Sequence, residues 1–268
     1  MNGAAFGVNL LAAAAAALLV LLAAFAVGVR TGRHRVVDVA WGAAFAAVAL
    51  TGYGLSASGG YGDATRRLLV TVLVVAWGLR LAVHIGRRSR GAPEDPRYAR
   101  MLARAPAGPA RTRYALRKVY LLQAVLVWFV SLPVQAAAYL TASPGPLLGV
   151  GVALWCLGLF FEAVGDRQLA RFKADPANRG AIMDRGLWSW TRHPNYFGDA
   201  CVWWGLFLLG ADSPLGWAFL PAPLLMTWLL AFGSGRPLLE RRMAATRPDW
   251  AAYAARTSSF LPRPPRRG

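Results

Sequence analysis

Apolar runs of membrane-spanning length recur along this chain, and no other feature constrains its fold so strongly. Seven are legible, at about 8–29, 36–57, 67–86, 119–141, 146–165, 195–211 and 214–232. Most approach the roughly 20 residues that a helix needs to cross the hydrocarbon core of a bilayer. Backbone N–H and C=O groups find no water there, so spans of this kind fold as helices. The reading is an all-α integral membrane protein of about seven transmembrane helices, forming a single multi-pass domain over 1–268. The sixth run is short, and Asp212, Ser213 and Pro214 part it from the seventh as a tight turn, so these two would make a helical hairpin. The first run lacks the basic start of a signal peptide and is followed by Arg30, Arg33 and Arg35, which predicts a retained helix.

The same chain is strongly basic. Its 268 residues are 56% hydrophobic and 16% charged, yet 30 Lys and Arg against 12 Asp and Glu give a net charge of +18. A basic excess often serves nucleic acid, but position explains this one. Arg30, Arg33 and Arg35 follow the first run, ten cations fall in 87–118, six in 166–195, and eight from 233 onward, Arg266 and Arg267 among them. The alternate connections hold only Arg66 and Arg67, and Arg80 lies inside a run. Cytoplasmic loops carry the Lys and Arg excess, so the N-terminus is predicted outside and the C-terminus in the cytoplasm. No nucleic-acid partner is needed. The abundance of Arg, Ala and Gly suggests a GC-rich bacterial source, for which the membrane would be the cytoplasmic one. Cys156 and Cys201 lie in apolar runs and make no disulfide framework, and three histidines offer no metal-ligand spacing. No glycine-rich nucleotide motif of the Rossmann or P-loop kind occurs.

Ionisable groups at membrane depth are costly, which makes each a candidate. Arg80, His84 and Arg88 are four apart and share one helix face. They suit a phosphate-bearing ligand, or else form a snorkelling helix end. Asp38, at the start of the second run, either pairs with Arg35 one turn earlier or faces a buried site as a proton donor. Glu162 and Asp166 are also four apart, near the end of the fifth run; they either hold a ligand or are neutralised by Arg167 and Arg171. The densest polar segment runs from Asp184 to Asp199. Pro194 fits the first turn of a helix, which sets Arg192 and His193 at its N-terminus, an arrangement that attracts anions. Asn195 and Asp199 then lie one turn apart. Arg236 and Glu240 read as an ordinary pair, His34 as solvated, and 95–104 as a short amphipathic interfacial helix.

The run Arg192-His193-Pro194-Asn195-Tyr196-Phe197-Gly198-Asp199 resembles the signature of membrane-embedded NADPH-dependent reductases, such as the steroid 5α-reductases and sterol C14/C7 reductases. The longer stretch from Phe161-Glu162-Ala163-Val164-Gly165-Asp166 through Asp199 is similar to a bacterial group of that superfamily. The likeness covers most of the chain and is strongest over 160–260. It implies a seven-helix fold with NADPH in a cytoplasm-facing cavity. Arg88, Asp166, Arg171, Asn195, Asp199 and Arg236 would match cofactor contacts, with Glu162, Arg192, His193 and Tyr196 beside them.

The chain departs from that pattern in one respect. Steroid 5α-reductases place a Glu on the second helix and a Tyr on the third to polarise the enone. Here the Tyr position falls at Ile85, next to His84, and Asp38 is the only acid of the second run. Asp38, His84 or an unassigned tyrosine is left as proton donor. The implied reaction is reduction of a carbon–carbon double bond in a lipid-like α,β-unsaturated carbonyl that enters from the membrane lipids. The shorter Arg-His-Pro-x-Tyr piece is also similar to isoprenylcysteine and phospholipid methyltransferases, which would use S-adenosylmethionine. A lipid-binding scaffold is the non-enzymatic alternative.

Overall fold

The computed structural model describes residues 1–233 and 235–265. Arg266 and Arg267 of the basic tail lie outside the described residues. Apart from one bridge between Thr191 and Ser258, these residues form helices, turns and loops. In chain order the α-helices are α1 (Gly3–Thr31), α2 (Val36–Ser58), α3 (Ala64–Ser89), α4 (Pro96–Leu102), α5 (Pro109–Ala115), α6 (Leu122–Val130) and α7 (Leu132–Ala137). They continue with α8 (Pro146–Ala174), α9 (Leu187–Trp190), α10 (Pro194–Leu208), α11 (Pro221–Ala231), α12 (Arg236–Thr246) and α13 (Trp250–Arg256). Five helices are long and apolar enough to cross a membrane: α1, α2, α3, α8 and the stretch Pro214–Thr246. The chain is a multi-pass membrane protein.

The other two runs are helical without that length in one piece. Run 119–141 starts as a π-helical turn (Leu116–Leu121), continues as α6 and breaks at Ser131 before α7. Pro133 in the first turn of α7 has no N–H to give to the preceding turn. The sixth run is α10, whose 15 residues span about 22 Å at 1.5 Å each, less than the roughly 30 Å of hydrocarbon.

The chain divides into two compact units. The first holds Met1–Leu148 and Leu209–Ala222. Within it α2 crosses α3 where Gly42 faces Gly78, and a Cβ on either would run into the carbonyl of the other. Arg66, near the start of α3, is 0% exposed. Its guanidinium donates to the carbonyls of Leu209 (2.8 Å), Ala142 (2.6 Å), Leu140 (3.4 Å) and Ser143 (3.2 Å). Asp212 does the converse, accepting from the backbone N–H groups of Gly145, Leu147 and Leu148 where α8 begins. Polar side chains inside the apolar runs also find partners. Asn9 of α1 donates to Gln135 (3.2 Å), which donates to Ser131 (2.9 Å).

The second unit holds Gly149–Leu208 and Pro223–Gly268. Here α8 and α10 run antiparallel in contact through glycine. Gly151, Gly158 and Gly165 recur every seven residues on α8, opposite Gly205, Gly198 and Pro194. A Cβ on Gly158 would lie 2.5 Å from Gly198 O, and one on Gly205 would lie 2.6 Å from Gly151 O. Small residues at this spacing let two membrane helices approach with no layer of side chains between them. The loop that returns from α8 is pinned to it: Trp188 Nε1 donates to Gly165 O (3.0 Å), and Leu187 N–H to Gln168 (3.0 Å).

Candidate functional site

The glycine contact sets the acids of α8 against the start of α10. Glu162 lies one turn beyond Gly158, and Asp166 one turn beyond Glu162, so both follow the face that packs on α10. They are 3% and 8% exposed. Pro194 opens α10 as the sequence predicts, which puts Asn195 in its first turn and Asp199 one turn on, along the same face. Asn195 Nδ2 reaches Asp166 Oδ1 at 3.5 Å, and its own Oδ1 accepts from Tyr196 N–H (3.1 Å). The expected set Glu162, Asp166, Asn195 and Asp199 is thus gathered on two facing helices. A carboxylate has about four acceptor positions and an amide has two further donors. Hydroxyl groups of a sugar, which both donate and accept, are a chemistry that such a set can bond. Arg171, one turn past Arg167 on α8, is exposed.

Arg192 and His193 immediately precede α10, as expected, and both are bonded within the chain. Arg192 Nε and His193 Nε2 both bond Glu240 Oε1 of α12, at 3.0 and 3.1 Å. Arg192 also donates to Ala254 O (2.8 Å) and lies over the Trp250 ring. Glu240 therefore answers residues 47 and 48 positions away, and Arg236 donates its Nε to Ala231 O instead (2.8 Å). Tyr196 stacks on the His193 ring, with centroids 5.4 Å apart and planes 6° from parallel. The segment 257–263 runs beside 190–192: Arg192 N–H donates to Ser258 O (2.9 Å), Thr191 Oγ1 to Phe260 O (2.9 Å), and Arg263 N–H to Trp190 O (3.0 Å).

Burial holds the His193 imidazole below its ordinary value of 6.5, against the pull of the Glu240 carboxylate. The folded state thus favours neutral His193, and its contribution is complete above pH 6.5. That contribution is lost as pH falls through the lowered folded value, because the unfolded chain then binds the extra proton. We expect the thermal midpoint of the detergent-solubilised protein to fall on acidification below about pH 6.5. His193→Gln should flatten that dependence; equal slopes for the two proteins would contradict it.

The first unit carries its own polar cluster. Asp38 does not pair with Arg35. It accepts from Arg97 Nη2 (2.8 Å) and from Tyr98 Oη (2.5 Å), both of α4. The predicted interfacial helix exists over Pro96–Leu102 and buries Tyr98 and Leu102. Burial raises the Tyr98 phenol above its usual range, and the Asp38 carboxylate adds to the effect. Arg80, His84 and Arg88 lie along the last turns of α3, and Arg88 is within electrostatic reach of Asp38. His34 is half-buried rather than solvated: its Nδ1 lies 3.0 Å from Tyr120 Oη. Tyr98 is a residue that the sequence reading did not name, and Glu240 is one that it gave to Arg236. Their signal was weak, since each answers a partner far along the chain.

Residues 24–257 match the family described as "Protein of unknown function (DUF1295)". The uncharacterized protein C594.04c of Schizosaccharomyces pombe is 27% identical over 248 residues, covering 79% of this chain and 67% of its own length. No solved structure matches the chain.

Proposed function

This chain belongs to the DUF1295 family, and we propose for it the NADPH-dependent reduction of a carbon–carbon double bond in a lipid-like α,β-unsaturated carbonyl, in the manner of the steroid 5α-reductases. We further read the chain as seven membrane passes with the N-terminus outside, because the cations alternate with the apolar runs. The observation that carries the reductase reading is the group formed by buried Glu162 and Asp166 of α8 and half-buried Asn195 and Asp199 of the facing helix α10. It coincides with the stretch whose sequence resembles those reductases.

The donor set fits a dinucleotide. The carboxylates and the Asn195 amide would hold ribose hydroxyls, and the arginines Arg171 and Arg236 would hold phosphate oxygens. Arg192 and His193, bonded to Glu240, would position α10 and the Tyr196 ring. When bound, NADPH would supply the hydride that reduces the β-carbon of the substrate. The protein has then to stabilise the negative charge on the enolate oxygen and provide the proton that ends on the α-carbon.

Among the groups considered for that proton, we put Tyr98 first: it carries the proton of its hydrogen bond to Asp38, whereas Asp38 accepts from both Arg97 and Tyr98 and would orient the phenol. Tyr98 is the tyrosine that sequence alone does not assign. Tyr98→Phe is expected to lower the reduction rate on the order of 100-fold, as loss of a general acid does, while leaving NADPH affinity unchanged. An unaltered rate would remove the pair from the mechanism, and His84 would then be next to test.

The direct test is NADPH titration of the detergent-solubilised chain, followed by tryptophan fluorescence. Wild type should bind, and Asn195→Ala and Asp199→Ala should each bind on the order of tenfold more weakly, the cost of a lost hydrogen bond in a buried charged site. S-adenosylmethionine should have no effect. Stabilisation by S-adenosylmethionine and not by NADPH would overturn the reading in favour of a methyltransferase. Binding of neither would leave a scaffold.

A further inference from the structure

We propose that the end of the first unit where α1, α2 and α3 meet binds the headgroup of an anionic phospholipid. These three helices follow one another antiparallel, so α1 ends, α2 begins and α3 ends on the same side. A cavity of about 290 Å³ opens there. Arg33, Arg35 and Arg90 line it together with the hydroxyls of Thr31 and Ser89, and Val39 contributes to its apolar wall. Among the described residues, no carboxylate lines it.

Arg35 supplies an independent observation. Its Nη1 donates to Pro93 O at 2.6 Å, but its Nε is buried and has no hydrogen-bond partner among the described residues. A buried N–H of a cation without an acceptor is costly, and phosphate oxygens match a guanidinium in geometry and charge. The nearby carboxylates are already engaged. Glu94 accepts from the backbone N–H groups of His34 and Arg35, where it caps the start of α2. Asp95 accepts from Arg97, although it is also close enough to feel the charge of Arg35. Arg33 and Arg90 are exposed at the rim, and their charge is directed at what approaches from outside.

The position selects a lipid over a free anion. The cavity sits where three apolar spans end, so a headgroup phosphate can meet the arginines while its acyl chains stay along the helices. Basic pockets between helix ends are a known form of headgroup site. Nothing in this proposal draws on α8, α10 or the reductase reading, so either can fail without the other.

Native mass spectrometry of the full chain, loaded with phosphatidylglycerol or with phosphatidylcholine, tests it. The double variant Arg33→Gln with Arg90→Gln keeps Arg35 and its bond to Pro93. It should bind phosphatidylglycerol roughly tenfold more weakly and phosphatidylcholine as wild type does, given what each cation near a membrane surface contributes. A double variant with the same charge change, Arg100→Gln with Arg104→Gln, should retain phosphatidylglycerol. Equal loss in both double variants would reduce the effect to general basicity and overturn the site. Displacement of the lipid by millimolar inorganic phosphate would overturn the lipid and point to a free phosphate group. Full retention by the first double variant would refute the proposal outright.

Discussion

Arg66→Leu is expected to leave little folded protein, with a loss of stability of at least about 3 kcal/mol, because several buried carbonyls lose their donor at once. The Asp63 carboxylate bonds the Arg66 backbone N–H, and the guanidinium meets backbone carbonyls. Its charge is balanced by the carbonyls of Leu209, Leu140, Ala142 and Ser143, and it is 0% exposed. The carbonyls of Leu209 and Leu140, whose bonds to it are buried, cannot turn to water when the donor is removed. Arg66→Lys keeps the charge but replaces a planar fork of five donors by three donors on one nitrogen, so it should recover only part of the loss. Thermal unfolding in detergent, read by size-exclusion chromatography, measures both. A leucine variant that melts with the wild type would mean that the guanidinium is dispensable.

Gly198→Ala should have the second largest effect, and at two levels. The added Cβ would lie 2.5 Å from Gly158 O and 2.8 Å from the Glu162 nitrogen. Neither atom is the end of a flexible side chain, so α10 must back away from α8, at a cost of about 1–3 kcal/mol for such overpacking. The Asn195–Asp166 contact, already at 3.5 Å, then parts. NADPH affinity should therefore drop on the order of tenfold or more, beyond what the stability change implies. Gly149→Ala on the facing helix α8 is the control, since among the described residues nothing lies within 4 Å of its Cβ position. Identical behaviour of the two variants would mean that the close helix contact does not matter to the site.

The membrane class, the long helices and the start of α10 at Pro194 were readable because each depends on local signals: hydropathy over a window, and a proline where a missing N–H costs nothing. Partners were less readable. Two expectations paired neighbours one turn apart, Arg35 with Asp38 and Arg236 with Glu240. In both the acid instead reaches another segment, Arg97 and Tyr98 for Asp38, Arg192 and His193 for Glu240. An exposed pair at helical spacing is worth only tenths of a kcal/mol, so tertiary packing overrides it easily. Run 119–141 looked like one span because average apolarity hides a break. The Gln135 side chain there is satisfied by Asn9, 126 residues away. The seven-residue glycine spacing of α8 was present in the sequence, but it gains meaning only when the matching glycines of α10 are set opposite.

The bonds from 190–193 to Glu240, Ala254, Ser258 and Phe260 have a consequence for the order of assembly. During translation, the segment that opens α10 emerges dozens of residues before its partners exist. Arg192 and His193 then lack their Glu240 and Ala254 partners until that part of the chain has been made. The part of the molecule with the densest polar chemistry is accordingly the last to close, and a pause or a cut before residue 254 would leave the helices inserted and this corner unfinished.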